Sequence, residues 1–258
     1  MQISGWELWW RQTLDFTVAS MKSRYRKTLA GFAWVLLNPI IMFGVQSVVF
    51  KEFLRLDLPD YYLFLVGGLI PWIFMTQTIQ MGTSTLVVNA ALLRSFRVHP
   101  LMLVGASVLD NFVNFISTLV IIVIPVVLFS DKGFSWNLLW TPVTLLPLTL
   151  IAFSFTMLMA LVNVFYRDTN FVLGFVFSVF FFLTPIFYPI EFVPVHYRWL
   201  SDYNIFFHAI APFRSTIYST ETFAWFPLWL KAMAWGIGLL MLATYYWRKK
   251  RNELFIAL

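Results

Sequence analysis

The chain has 258 residues, of which 60% are hydrophobic, 20% aromatic and only 12% charged. Soluble domains are about half apolar and about a quarter charged, so this chain lacks the polar side chains to cover a water-facing globule, and a soluble catalytic domain is excluded. The net charge of +6 would suit nucleic acid, but the cations cluster beside apolar segments, as in membrane proteins whose cytoplasmic loops retain Lys and Arg, and no nucleic-acid partner is expected.

Taken in order, residues 3–25 predict an amphipathic helix. Ile3, Trp6, Trp10, Leu14, Val18, Met21 and Tyr25 recur every three or four residues and share one face. A Trp-rich face with charges opposite suits the membrane–water boundary. No cleavable signal peptide is expected, since no short apolar region with a small-residue cleavage site stands at the start. Lys22, Arg24, Arg26 and Lys27 then precede an apolar run, which orients the first span with its start in the cytoplasm.

Six segments, 33–51, 61–82, 103–129, 138–164, 170–188 and 228–247, approach the roughly 20 apolar residues that cross a hydrocarbon core. They predict an all-α integral membrane protein with a single transmembrane domain over 1–258. With both termini inside, 12 of the 18 Lys and Arg fall on the cytoplasmic side and 6 outside, which supports this topology. Pro39, Pro71, Pro125, Pro142 and Pro147 lie in or at the ends of these segments and predict kinks.

The cytoplasmic loop 83–102 carries Leu92, Leu93, Arg94, Ser95, Phe96 and Arg97, closed by Pro100. A short apolar and basic segment of this kind suits a small helix that docks in a partner's groove; the alternative is that Arg94 and Arg97 are only topology anchors. Asp110 lies deep in the third span with Asn114, Ser117 and Thr118 on its face. It reads as a structural bond to a neighbouring helix, since a proton relay needs more than one such group. Arg167 and Asp168 close the fourth span and suit either a tight turn or a subunit contact. Thr184 to Pro189 breaks the fifth span with two prolines. The following segment, 190–226, is too charged to span and too aromatic for a solvated loop. It predicts short re-entrant helices with a turn near Asp202–Asn204; an outer interfacial loop is the alternative.

Four motifs together resemble one family: Arg24-Tyr25-Arg26-Lys27-Thr28-Leu29-Ala30-Gly31 running into Trp34 and Asn38-Pro39; Gly67-Gly68-Leu69-Ile70-Pro71-Trp72; Asn163-Val164-Phe165-Tyr166-Arg167-Asp168; and Leu183-Thr184-Pro185-Ile186-Phe187-Tyr188-Pro189. In order and spacing they are similar to the permease subunits of bacterial ABC exporters of O-antigen, capsule and teichoic acid. Asn204-Ile205 departs from the usual Asn-Pro of that family and leaves the turn there in question. The resemblance implies a homodimeric pore in the cytoplasmic membrane above two copies of a separate ATPase, which would hold the ATP and Mg. It implies a coupling helix at Leu92–Arg97, outer re-entrant helices at 190–226, and a glycan cargo on polyprenyl pyrophosphate. No cofactor is expected on this chain, which has no P-loop sequence of its own.

A path for a hydrated glycan suits aromatic rings, which present an apolar face. Phe177, Phe181, Thr184 and Tyr188 share one face of the fifth span, and Trp34 and Asn38 form a similar pair on the first. A second stripe, Phe171, Phe175 and Phe182, competes on the same helix, and either stripe is equally suited to face lipid. Alternatives are an exporter of drugs or small lipid-linked oligosaccharides, and a membrane-embedded transferase. The latter needs acid/base or metal-binding groups gathered in a cleft, yet His99, His196 and His208 are scattered and cysteine is absent; neither catalytic nor metal-ligating residues are expected. A secondary transporter would show repeats and several buried charges.

Overall fold

The computed structural model describes residues 5–25, 33–96, 98–130, 135–221 and 223–257. These residues are almost wholly helical: α1 (Gly5–Tyr25), α2 (Ala33–Ser47, continued by a π-helical turn Val48–Phe53), α3 (Tyr61–Val88), α4 (Ala90–Ser95), α5 (Pro100–Thr118), α6 (Ile124–Leu128), α7 (Thr141–Phe165), α8 (Thr169–Leu183), α9 (Trp199–Asp202), α10 (Ile205–Tyr218) and α11 (Trp225–Ala257). Five helical stretches among them are long and apolar enough to cross a membrane, and α8 is a shorter apolar helix.

The centre of the bundle is α3. It packs against α5, α7 and α10, while α11 lies on α7 and α10. Most side chains of α3 between Tyr61 and Ile79 are buried, as in a helix with protein on most of its sides. Its first two thirds, with α7, α10 and the strap after α8, form the larger core; a smaller one joins Leu86, Leu93, Val104, Leu161 and Trp247 at the end that carries the basic residues of α4 and α11. We call this the basic end, and the other the far end. The helix α2 is peripheral: of its side chains only Pro39 and Ser47 are buried.

Prolines account for several local features. Pro39, Pro71, Pro147 and Pro212 lie inside helices, and Pro142 sits in the first turn of α7, where a missing N–H costs little; Pro125 lies within the continuous helical stretch Pro100–Leu128. The π-helical stretch Leu119–Val123 just before Pro125 shifts the hydrogen-bond pattern where the ring cannot donate.

The helix α1 has two working faces. Thr13 and Thr17 are buried against α5, with the Thr17 hydroxyl donating to the Ala106 carbonyl at 3.4 Å. Trp10, Leu14 and Val18 of the predicted apolar stripe point outward. Ile3 and Arg26–Gly31 lie outside the described residues.

The fifth span differs from its predicted range, 170–188. The helix stops at Leu183, and at about 22 Å it is shorter than a hydrocarbon core. Thr184, ahead of Pro185, is extended with φ −85° and ψ 129°, as the proline ring demands. The strap Thr184–Phe187 is nonetheless buried, which is the condition for non-helical backbone at membrane depth. The re-entrant region differs too. Only its second limb, α10, enters the bundle; the first is built of short turns and α9, with Val195, Trp199 and Tyr203 exposed.

Candidate translocation path and coupling surface

At the basic end, Asn89 closes α3 and opens α4, its side chain donating to the Thr85 carbonyl at 2.8 Å. Leu93 is buried in the smaller core and Leu92 packs against it. Arg94, Ser95 and Phe96 face outward, and Phe96 is 66% exposed. The six-residue helix is thus anchored by its leucines and presents a basic, aromatic surface; Arg97 lies outside the described residues. Arg167 and Asp168 form the exposed turn between α7 and α8, where the Asp168 carbonyl accepts from the amides of Phe171 and Val172 at 2.9 and 3.2 Å.

His99 precedes α5, and its Nδ1 accepts from the Leu101 amide at 3.3 Å. Burial, and then the nearby Arg251 charge, lower its pKa below the ordinary 6.5. The folded chain therefore favours neutral His99. The stabilisation from this group is complete above about pH 6.5 and is lost as pH falls through the lower folded value. Hydrogen exchange at residues 98–103, corrected for intrinsic rates, is expected to be faster at pH 5.5 than at 7.5. His99→Gln should flatten that difference; an unchanged pH dependence in the variant places its cause elsewhere.

The aromatic stripe on α8 faces inward. Phe177 is only 5% exposed and packs at 6.4 Å on Trp72 and at 5.7 Å on Phe206. Phe181 lies 5.8 Å from Trp72 and 4.6 Å from Phe187. Thr184 is fully buried and accepts from Asn204 Nδ2 at 2.8 Å. Tyr188 is partly buried, and its hydroxyl donates to the Phe182 carbonyl at 2.8 Å. In this conformation the stripe belongs to the chain's own core, because α10 inserts Phe206 against it. The second stripe is open, with Phe171 86% exposed. Trp34 and Asn38 on α2 are also exposed.

Between α2 and α8, the surface of α3 carries Gln77, Gln80 and Ser84, all partly exposed. Gln77 shares a small space with Pro39 of α2 and with Asn111, Asn114 and Thr118 of α5, whereas Gln80 reaches towards Gly174 of α8. One helical turn to either side of Gly174 stand Asn170 and Ser178; the Asn170 side-chain oxygen is buried without a hydrogen-bond partner, and Ser178 is exposed. Gln77 and Gln80 thus bring amides of α3 beside α2 and α5 on one hand and α8 on the other. Asp110 is fully buried and engaged within the protein, in keeping with a structural role.

The far end is closed by a polar knot. Asn204 caps α10, its Oδ1 accepting from the amides of Phe206 and Phe207 at 2.9 and 3.2 Å, while its Nδ2 holds Thr184. His208 Nε2 lies 2.7 Å from the Asp202 carbonyl, and its ring stacks on Trp235. The sequence assigns no role to His208 or Arg214 beyond a scattered histidine and an outer cation of the 190–226 segment. Their only signal was a polar side chain in an otherwise apolar helix.

Residues 11–218 match the ABC-2 type transporter family. The chain is 28% identical over 171 residues to an O-antigen export system permease protein of Myxococcus xanthus, covering 66% of this chain and 65% of that protein, so the match spans a little under two thirds of the relative's length. It is 25% identical over 191 residues to an O-antigen export system permease protein of Klebsiella pneumoniae, covering 73% of each.

Proposed function

Because this multi-pass chain belongs to the ABC-2 type transporter family, we propose that it is the membrane half of an ATP-driven exporter of a lipid-linked polysaccharide. Two copies would form the pore in the bacterial cytoplasmic membrane, with both termini inside and two copies of a separate ATPase beneath. The observation that carries this reading is a set of polar side chains on the apolar helices α2, α3 and α8: Gln77 stands beside Pro39 and Gln80 beside Gly174, while Asn38 and Ser178 are exposed and Ser84 partly so. Polar groups facing lipid are costly, and a second copy laid against these helices would enclose them as a hydrated path. Trp34 and the exposed stripe Phe171, Phe175 and Phe182 would then offer rings to the sugar, and Phe177, Phe181, Thr184 and Tyr188 would support that wall from behind. The exposed surface of α4 would receive the ATPase, with Arg167 and Asp168 beside it at the mouth. The O-antigen export relatives favour a glycan over a drug as cargo, and its carrier would be polyprenyl pyrophosphate.

The test uses vesicles holding the chain and its ATPase, with single cysteines placed in the cysteine-free background. ATP-dependent movement of the lipid-linked glycan is expected. A water-soluble thiol reagent should label cysteines at positions 84 and 178 and spare one at 177. The double variant Phe96→Ala/Arg97→Ala should keep ATP hydrolysis and lose most export. Hydrolysis by the permease alone sinks the division of labour, and unreactive cysteines at 84 and 178 in all nucleotide states place those positions against lipid.

A further inference from the structure

Arg214, on α10, has no part in the readings above. Its side chain is buried and lies along the Gly67-Gly68 step of α3. A Cβ on Gly67 would stand 3.1 Å from its Cγ, and one on Gly68 would collide with Nη2. Its Cζ is 4.3 Å from the centre of the Phe64 ring. Among the described residues its one hydrogen bond is a long one, Nη2 donating to the Ile186 carbonyl at 3.4 Å, and Nε has no partner. Satisfying one strap carbonyl needs a single neutral donor. A guanidinium brings a permanent charge and five donors, and burying that charge without an anion is far costlier than burying an amide. An ionisable side chain at membrane depth that lacks a partner points to function. The glycine step makes the room for it.

The titratable neighbour is Tyr61: it and Arg214 donate to the adjacent carbonyls of Phe187 and Ile186, and both lie beside the Phe64 ring. Its hydroxyl donates to the Phe187 carbonyl at 3.2 Å, and its other side forms part of the wall of a cleft of about 490 Å³ at the far end. That cleft is apolar along Phe43, Leu63 and Phe129, with Lys51, Asp60 and Ser130 among its lining. Lys51 Nζ is held 4.1 Å above the Tyr62 ring. Lys51 and Asp60 leave the cleft near neutral, so strong attraction for an anion needs Arg214.

We propose that Arg214, with Lys51 at the rim, is a phosphate site for a lipid head group, closed by Tyr61 in this conformation. The lipid chain lies along Phe43 and Phe129, the phosphate meets Lys51, and it reaches Arg214 when Tyr61 releases its hydrogen bond to Phe187. That the phosphate belongs to the cargo rests on the exporter reading; the site itself does not.

The test follows thermal unfolding of the purified full chain by its intrinsic tryptophan fluorescence, with polyprenyl pyrophosphate, polyprenol or phosphatidylglycerol added in turn. Polyprenyl pyrophosphate is expected to raise the midpoint, and polyprenol to leave it in place. In Arg214→Met, an apolar residue of similar length, the unliganded midpoint should hold or rise, while half-saturation weakens about tenfold or more, the worth of a charged hydrogen bond. Arg214→Lys, which keeps the charge and loses the fork, should fall between, and it carries the test should the Met variant not fold. Wild-type binding by both variants, or an equal shift with polyprenol, overturns the site. A response to phosphatidylglycerol alone upholds the phosphate site and assigns it to membrane lipid, leaving the exporter reading to the vesicle assay.

Discussion

Replacing Asn204 with Ala should release the inserted helix α10 from the strap after α8, at a cost of about 2–4 kcal/mol. The change removes the cap of α10, the bonds to its first two amides, worth about 1 kcal/mol, and leaves the buried Thr184 hydroxyl without its donor, at about 1–3 kcal/mol. Both losses fall on one side chain because Asn204 accepts from Phe206 and Phe207 and donates to Thr184. Asn204→Asp separates them, since its carboxylate can still cap but cannot donate. Unfolding in mixed detergent should rank wild type, Asp and Ala in falling order, and protease should cut the 190–203 segment faster in the Ala variant. Ile205→Pro is the contrasting change. Residue 205 is the first of α10, where proline is favoured, and Asn204 already has φ −82° and ψ 105°, a conformation that a following proline tolerates. That variant should match or slightly exceed the wild type. An Ala variant as stable as the wild type shows that the knot does not hold α10 in place.

The departure at Asn204-Ile205 therefore leaves the turn intact, because capping by the Asn side chain does not require the proline. Other features were legible for similar physical reasons. Apolar length placed the membrane helices, and the leucine pair followed by Arg94 and Phe96 placed the short helix at the basic end. The two prolines, Pro185 and Pro189, marked a break within Thr184–Pro189. Helical period showed that Phe177 and Phe181 share a face with Thr184, yet it could not say what that face meets. Phe206 meets it, from an element that begins only after the strap has turned back. The length of the fifth helix was overestimated because the strap is as apolar as the helix before it. Thr13 and Thr17 were missed because small polar residues read as solvent-facing; in a helix lying on Gly105 and Ala106 they are what permits close approach. Arg214 was counted as an outer cation, since nothing in the sequence says that Gly67 and Gly68 stand opposite it.

The second large effect is expected at Gly82, where α3 and α7 cross most closely. A Cβ there would run into the Thr156 methyl, with Ser107 Oγ 3.6 Å away. Thr156 is fully buried, and its hydroxyl donates to the Ala152 carbonyl at 2.7 Å, so turning the methyl aside breaks that bond. Beside the crossing, Asn163 Nδ2 donates to the Thr83 carbonyl at 3.1 Å, so a forced separation also strips a buried polar pair. Gly82→Leu should cost about 3 kcal/mol or more by overpacking. By parting α3 from α7 it should also displace α4, which leans on both through Leu93. Gly82→Ala should cost less, and Thr156→Ser, which removes the colliding methyl and keeps the hydroxyl, should restore most of the loss. Gly44→Ala and Gly238→Ala provide the comparison, since a Cβ at either meets nothing within 4 Å; each should be neutral, or stabilising by up to about 1 kcal/mol from helix propensity. Unfolding midpoints of the five single variants and the Gly82→Ala/Thr156→Ser double, with Gly82 and Thr156 compared as a double-mutant cycle, decide it. If Thr156→Ser gives no rescue, or if Gly44→Ala is as damaging as Gly82→Ala, the loss comes from changing a glycine rather than from the contact between α3 and α7.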